Sequence, residues 1–214
     1  MRLVMPRLYV ILDAGMLTGS PGEIAKQLIE AGVRLLQYRD KQASARELLA
    51  NSRVIAATAA AANCPFFVND RPDVAYLSGA AGVHVGQEDL GVEQAREVVG
   101  PERWVGVSTH NLEQFQQAAA SSADYIAVGP IFPTTSKANP DPVVGVDLVR
   151  RVRALTSKPI VAIGGISLEH APEVIAAGAD SVAVISGILK APDPSAQARR
   201  YLDRLQAVKP AAHH

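Results

Sequence analysis

The sequence is nearly free of cysteine. It has a single cysteine, Cys64, beside Pro65 at the start of an apolar run. One cysteine closes no internal disulfide, and in this setting it reads as a small buried apolar residue, not as a nucleophile. Net charge is missing as well, because 21 Lys and Arg balance 21 Asp and Glu. No overall field therefore draws the chain to nucleic acid or to an acidic membrane surface, although a neutral chain can still gather local charge around a small anion. No apolar run reaches the roughly 18 residues that span a bilayer, and the N-terminus shows no secretory pattern, so the expected location is the cytoplasm. Oligomeric state is left open, a homo-oligomer included. A dinucleotide fingerprint is absent, since Gly164-Gly165 alone names no nucleotide. The terminal His213-His214 resemble the start of a purification tag and are set aside.

What is present is a repeated strand-then-helix unit. Short β-rich runs occupy residues 8–12, 33–38, 66–68, 82–85, 104–107, 125–128, 160–163 and 181–185. Helical patterns lie between them, with recognisable starts. Ser44 and Glu47 form a capping box for a helix to about Ala62, Pro72 suits a first turn, Asn111 caps a fifth helix, and Ser167 heads a seventh. A last helix covers about 195–207. A weak repeat, Ala31-Gly32-Val33, Ala81-Gly82-Val83 and Ala177-Gly178-Ala179, places a glycine at a helix stop just before a strand. Eight units of roughly 27 residues approach the lower size limit of a (β/α)8 barrel. The expectation is one TIM barrel over residues 1–207 with a short tail, 208–214. A doubly wound open sheet is the alternative, and it needs no eighth unit.

Such a barrel carries its site at the C-terminal strand ends. In the second strand, alternation puts Leu35, Gln37, Arg39 and Lys41 on one face and Leu36 and Tyr38 on the other. If the first face looks inward, an amide and two cations converge near the mouth, where burial without partners is costly, and an anion belongs there. Asp70 and Asp89 follow adjacent strands. Their placement beside those cations favours a shared hard cation over ordinary turn capping. Mg²⁺ suits this set, because it takes one or two carboxylates together with waters and phosphate oxygens. The turns after strands seven and eight, with Gly165 and Ser186, fit a second phosphate site built from backbone N–H groups. Two phosphate sites and one metal point to two phosphorylated substrates and to group transfer. No histidine at these ends has an obvious partner.

The segments Q-Y-R-D-K (37–41), F-V-N-D-R-P (67–72), G-V-H-V-G-Q-E-D-L (82–90), G-V-S-T-H (106–110), G-P-I-F-P-T-T-S-K (129–137), A-I-G-G-I (162–166) and V-I-S (184–186) together resemble the thiamine phosphate synthase family. The resemblance implies that Gln37, Arg39, Lys41, Asn69, Ser108 and Lys137 hold hydroxymethylpyrimidine diphosphate. Of these, Arg39, Lys41, Ser108 and Lys137 would act on the reacting groups. Thr134, Thr135, Ser136, Gly165, Ile185 and Ser186 would hold thiazole phosphate, and Asp70 and Asp89 would ligate Mg²⁺. The reaction implied joins the pyrimidine methylene to the thiazole nitrogen by a dissociative substitution and expels diphosphate, with residues 129–145 as a lid. His84, within the fourth strand, is expected to pack or hydrogen-bond inside the barrel. The rival readings are a thiazole tautomerase, which needs a positioned base, and a non-catalytic barrel that binds phosphorylated metabolites.

Overall fold

The structure, a computed structural model, describes residues 5–134 and 141–208. Within them, eight parallel strands close a barrel in sequence order: β1 (Leu8–Asp13), β2 (Leu36–Arg39), β3 (Phe66–Asn69), β4 (Gly82–Val85), β5 (Trp104–Thr109), β6 (Tyr125–Val128), β7 (Ile160–Ile163) and β8 (Ser181–Val184). β8 pairs back onto β1, so no sheet edge is left within it. The crossovers carry α1 (Pro21–Glu30), α2 (Ala45–Ala61), α3 (Pro72–Ser78), α4 (Val92–Val99), α5 (Leu112–Ala120), α6 (Gly145–Arg153) and α7 (Ala171–Ala176). After β8 come a single turn, α8 (Ser186–Leu189), and the closing helix α9 (Pro194–Gln206). No helix among the described residues is long and apolar enough to cross a membrane.

The local signals work as the residues suggest. Ser44 and Glu47 complete their capping box in both directions, and Asn111 accepts from the Gln114 N–H at 2.9 Å. β2 starts later than expected, at Leu36 instead of Val33. The Val33 N–H still bonds to the Leu28 carbonyl and so finishes the α1 stop. α7 likewise begins at Ala171, because Ser167 organises a preceding turn whose carbonyl receives the Ala171 N–H. In the Ala-Gly repeat, Gly32 and Gly178 adopt positive φ as helix stops should, but Gly82 is the first residue of β4. There α3 is stopped three residues earlier by Gly79.

Strand alternation builds two apolar layers. Leu8, Val10, Leu12, Leu36 and Tyr38 face the helices, whereas Tyr9, Ile11, Leu35, Phe67, Tyr125, Ala127, Val161 and Ala183 fill the barrel. Phe67 and Tyr125 meet edge-on at 5.4 Å between ring centres. Gly106 makes this possible, since a Cβ there would stand 2.0 Å from the Tyr125 ring. Cys64 lies in the outer layer, 3% exposed. Burial pushes its thiol up to about 12, against a small opposing effect of Arg34. The thiolate is the reactive form, so at pH 8 the native protein should resist disulfide-exchange reagents and release one thiol equivalent only on unfolding. Rapid native labelling would contradict this packing.

Candidate active site

The strand ends divide the barrel mouth into two unlike halves. The charged half lies over β1 to β4. The β1–β2 register sets Asp13 directly beside Arg39, and the two form an ion pair. Lys41, just past β2, pairs with Asp70. Asp70 has φ +62, a left-handed conformation that Asp tolerates better than most residues. Its N–H bonds to the His84 carbonyl at 2.7 Å, which ties the turn to β4. The Asp70 carboxylate thereby stands near enough to Asp89 to raise that acid, and Asp89 itself accepts from the Gly86 N–H at 2.8 Å. Burial, and next the Asp70 contact, raise the Asp89 acid above its ordinary value.

Two carboxylates pressed together in this way fit a hard cation. Among the described residues, no group of three or more His, Cys, Asp and Glu side chains gathers in one place. A metal held by Asp70 and Asp89 would therefore take its other ligands from water and substrate, as Mg²⁺ does.

The second half is a cavity of about 280 Å³ at the ends of β5 to β8, lined among others by Ser108, Thr134, Gly165, Ile185 and Ser186. The chain leaving β6 runs along the end of β7, where the Ile131 N–H bonds to Ile163 and the Phe132 N–H to Gly164. That close approach explains Gly165, whose φ is +64. A Cβ at this position would lie 2.4 Å from the Pro133 carbonyl oxygen and 2.8 Å from that of Phe132. α8 starts at the cavity wall, and a first helical turn leaves backbone N–H groups without intrahelical partners.

Most of the residues singled out from the sequence stand at this mouth. Gln37 is almost wholly buried and donates to the Tyr9 hydroxyl at 2.8 Å. Asn69 ends β3 in register with His84. Thr135, Ser136 and Lys137 lie outside the described residues. His84 is 8% exposed inside the barrel, between the Tyr125 hydroxyl and the Ser108 hydroxyl, each 2.8 Å away. His84→Gln should lower activity only several-fold, the size of one or two net hydrogen bonds. A loss as large as that from removing Asp70 would mean that His84 moves a proton in the reaction.

Two residues at the site receive no role from the sequence. Asp13 neutralises Arg39, and His110 stands at the cavity with its Nδ1 2.6 Å from the Gly129 carbonyl and its Nε2 3.5 Å from Asp141. Alternation, followed one residue past the first run and three past the fifth, reaches both, because Asp13 is two residues from Ile11 and His110 two from Ser108.

A closed (β/α)8 barrel with a cation–carboxylate half and a glycine-lined cavity at its strand ends defines a class, the barrel enzymes of phosphorylated substrates. A family model described as thiamine monophosphate synthase matches residues 8–188, and the chain belongs to that family. The thiamine-phosphate synthase of Koribacter versatilis is 52% identical over 210 residues, which is 96% of this chain and 98% of the relative. That of Chloroflexus aurantiacus is 44% identical over 195 residues, covering 91% and 90%. The solved thiamine phosphate pyrophosphorylase from Pyrococcus furiosus superposes with a TM-score of 0.85 at 32% identity, covering 94% of this chain and 95% of that one. A 3-hexulose-6-phosphate synthase, at TM-score 0.65 and 20% identity, shares the fold alone.

Proposed function

We propose that the two halves of the mouth divide the thiamine-phosphate synthase reaction between them, the charged half taking hydroxymethylpyrimidine diphosphate and the glycine-lined cavity taking thiazole phosphate. The observation that carries this reading is the pairing of each cation in the charged half with a carboxylate that a diphosphate can share or displace, Arg39 with Asp13 and Lys41 with Asp70. Gln37 and Asn69 hold the pyrimidine, and so does Ser108 from the cavity's edge on β5, the strand next to β4. Lys137 belongs to the same set by its match to the family motif. Thr134, Thr135, Ser136, Gly165, Ile185 and Ser186 hold the thiazole phosphate. Asp70 and Asp89 would hold Mg²⁺, whose charge would offset that of the departing diphosphate.

The methylene–oxygen bond of the pyrimidine substrate breaks with its electron pair leaving on diphosphate. The electron-rich aminopyrimidine carries the positive charge, and the thiazole nitrogen lone pair then forms the new carbon–nitrogen bond. No proton is removed, so no general base is required. The mouth of the charged half presents cations paired with carboxylates, and both His84 ring nitrogens are engaged by the Tyr125 and Ser108 hydroxyls. The work left to the chain is to stabilise the leaving group and to hold the second ring close by.

Arg39 tests the assignment of substrates to halves. Arg39→Ala should weaken pyrimidine diphosphate binding by roughly ten- to a hundredfold, the range of a hydrogen bond to a charged group, and leave thiazole phosphate binding unchanged. Because Asp13 loses its partner, the thermal midpoint is measured beside Arg39→Lys, which keeps the charge. Equal loss of both substrates by a stably folded variant would overturn the division.

A further inference from the structure

A continuous hydrogen-bonded chain of five side chains crosses the barrel interior. Gln37 on β2 donates from Nε2 to the Tyr9 hydroxyl on β1 at 2.8 Å. The Tyr9 and Tyr125 hydroxyls are 3.2 Å apart. Tyr125 on β6 meets His84 Nδ1 on β4 at 2.8 Å, and His84 Nε2 meets the Ser108 hydroxyl on β5 at 2.8 Å. Both tyrosines are buried, Tyr9 to 1% and Tyr125 to 0% exposure. Burial raises the pKa of both, so they stay neutral O–H groups, each with one proton to donate.

With the Gln37 NH₂ turned toward Tyr9, the direction of every link follows. An amide NH₂ only donates, so the Tyr9 oxygen accepts from Gln37. Tyr9 must send its own proton to Tyr125, because among the described residues it has no other acceptor. Tyr125 then donates to Nδ1 of His84, which leaves the hydrogen on Nε2, and Nε2 donates to the Ser108 oxygen. Ser108 thus keeps its own O–H for a ligand, and it lines the cavity. At the other end, Gln37 Oε1 has no hydrogen-bond partner among the described residues and remains an acceptor. If the amide were turned over, every link would reverse, and the two ends would exchange roles together.

We propose that Tyr9, Tyr125 and His84 are positioning residues for the pyrimidine substrate, a relay that holds Gln37 as an acceptor and Ser108 as a donor. This rests on the reading that Gln37 and Ser108 contact the pyrimidine. An aminopyrimidine suits the pair, since its exocyclic amino group donates and its ring nitrogens accept. A substrate with two donors or two acceptors would leave one end of the relay unpaired, at the cost of a buried unsatisfied group. The relay therefore discriminates among pyrimidines by hydrogen-bonding polarity as well as by shape.

Tyr125→Phe removes the central link, keeps the ring, and touches no substrate. It is compared with Tyr9→Phe, Ser108→Ala and the double variant Tyr125→Phe/Ser108→Ala, by KM for each substrate, kcat and thermal midpoint. The expected result is a rise of about five- to tenfold in KM for pyrimidine diphosphate in either tyrosine variant, with KM for thiazole phosphate unchanged. In the Ser108→Ala background the Tyr125→Phe effect should shrink but not vanish, because the Ser108 hydroxyl is gone while the Gln37 end is still held through Tyr9. Full additivity would overturn the relay, as would an equal rise for both substrates or a lowered midpoint with normal KM values. If Tyr125→Phe does not fold, Tyr9→Phe makes the same comparison. Should Ser108→Ala itself leave the pyrimidine KM unchanged, the assignment of Ser108 to that substrate fails. Should Ser108→Ala raise that KM while neither tyrosine variant does, the relay alone fails.

Discussion

Asp89→Asn is expected to cut turnover by on the order of a hundredfold or more while making the metal-free protein slightly more stable. The two effects share a cause. Burial and the neighbouring Asp70 carboxylate raise the Asp89 acid, so ionised Asp89 is a burden on the fold until a cation arrives. The sign follows from linkage: a carboxyl raised in the folded state contributes stability below the ordinary carboxylate range, and that contribution is lost as pH climbs through its raised value. The substituted amide would lack the charge and escape the loss. The substitution would also remove one of two proposed ligands for Mg²⁺, and added Mg²⁺ should no longer raise the thermal midpoint. In the parent protein that rise should be larger at pH 7.5 than at pH 5, where a proton competes with the metal. Asp70→Ala should lower turnover as strongly, with a stability penalty in addition, because Lys41 would lose its partner. Near-normal turnover of either variant at low Mg²⁺ would remove that residue from the metal site.

Gly165→Ala should have the second-largest effect and should fall on the other substrate. An L-residue in left-handed conformation costs roughly 1–2 kcal/mol, and here a methyl group would also stand 2.4 Å from a backbone oxygen. Neither partner is a flexible side chain, so the turn after β7 or the segment leaving β6 must move. We expect KM for thiazole phosphate to rise at least about tenfold, by an amount that each 1.4 kcal/mol of lost binding multiplies by ten. Pyrimidine diphosphate affinity should stay within about twofold, since Arg39, Lys41 and Gln37 sit on the far side of the mouth. Equal damage to both substrates in equilibrium binding would mean that the variant had disturbed the whole barrel. An unchanged thiazole KM would place the phosphate elsewhere.

The barrel was legible in the chain because its strands and helices differ in period, and because capping residues such as Ser44, Glu47 and Asn111 mark helix starts locally. Alternation also grouped Leu35, Gln37 and Arg39 on one face, and closure of the barrel places Leu35 and Gln37 inside it. Boundaries were less legible where a residue serves two elements. Val33 finishes a helix stop while looking like the start of a strand, and Gly82 resembles a stop although Gly79 already supplies one. Partners across the barrel were the least legible. Alternation groups Asp13 with Ile11 and Arg39 with Gln37, but only the β1–β2 register shows that Asp13 and Arg39 meet. The same holds for His84, Tyr125 and Tyr9, which are far apart in sequence and are joined by closure of the sheet. Ser186 stood out from the sequence as a phosphate donor, but the one-turn helix it begins was too short to carry a periodic signal.

The most direct test of the account is to incubate the purified protein with hydroxymethylpyrimidine diphosphate and thiazole phosphate, with Mg²⁺ and with the metal chelated, and to follow both products. The account predicts thiamine phosphate and diphosphate in equal amounts, dependent on both substrates and on Mg²⁺. Binding of both substrates without product, or isomerisation of the thiazole phosphate alone, would contradict it.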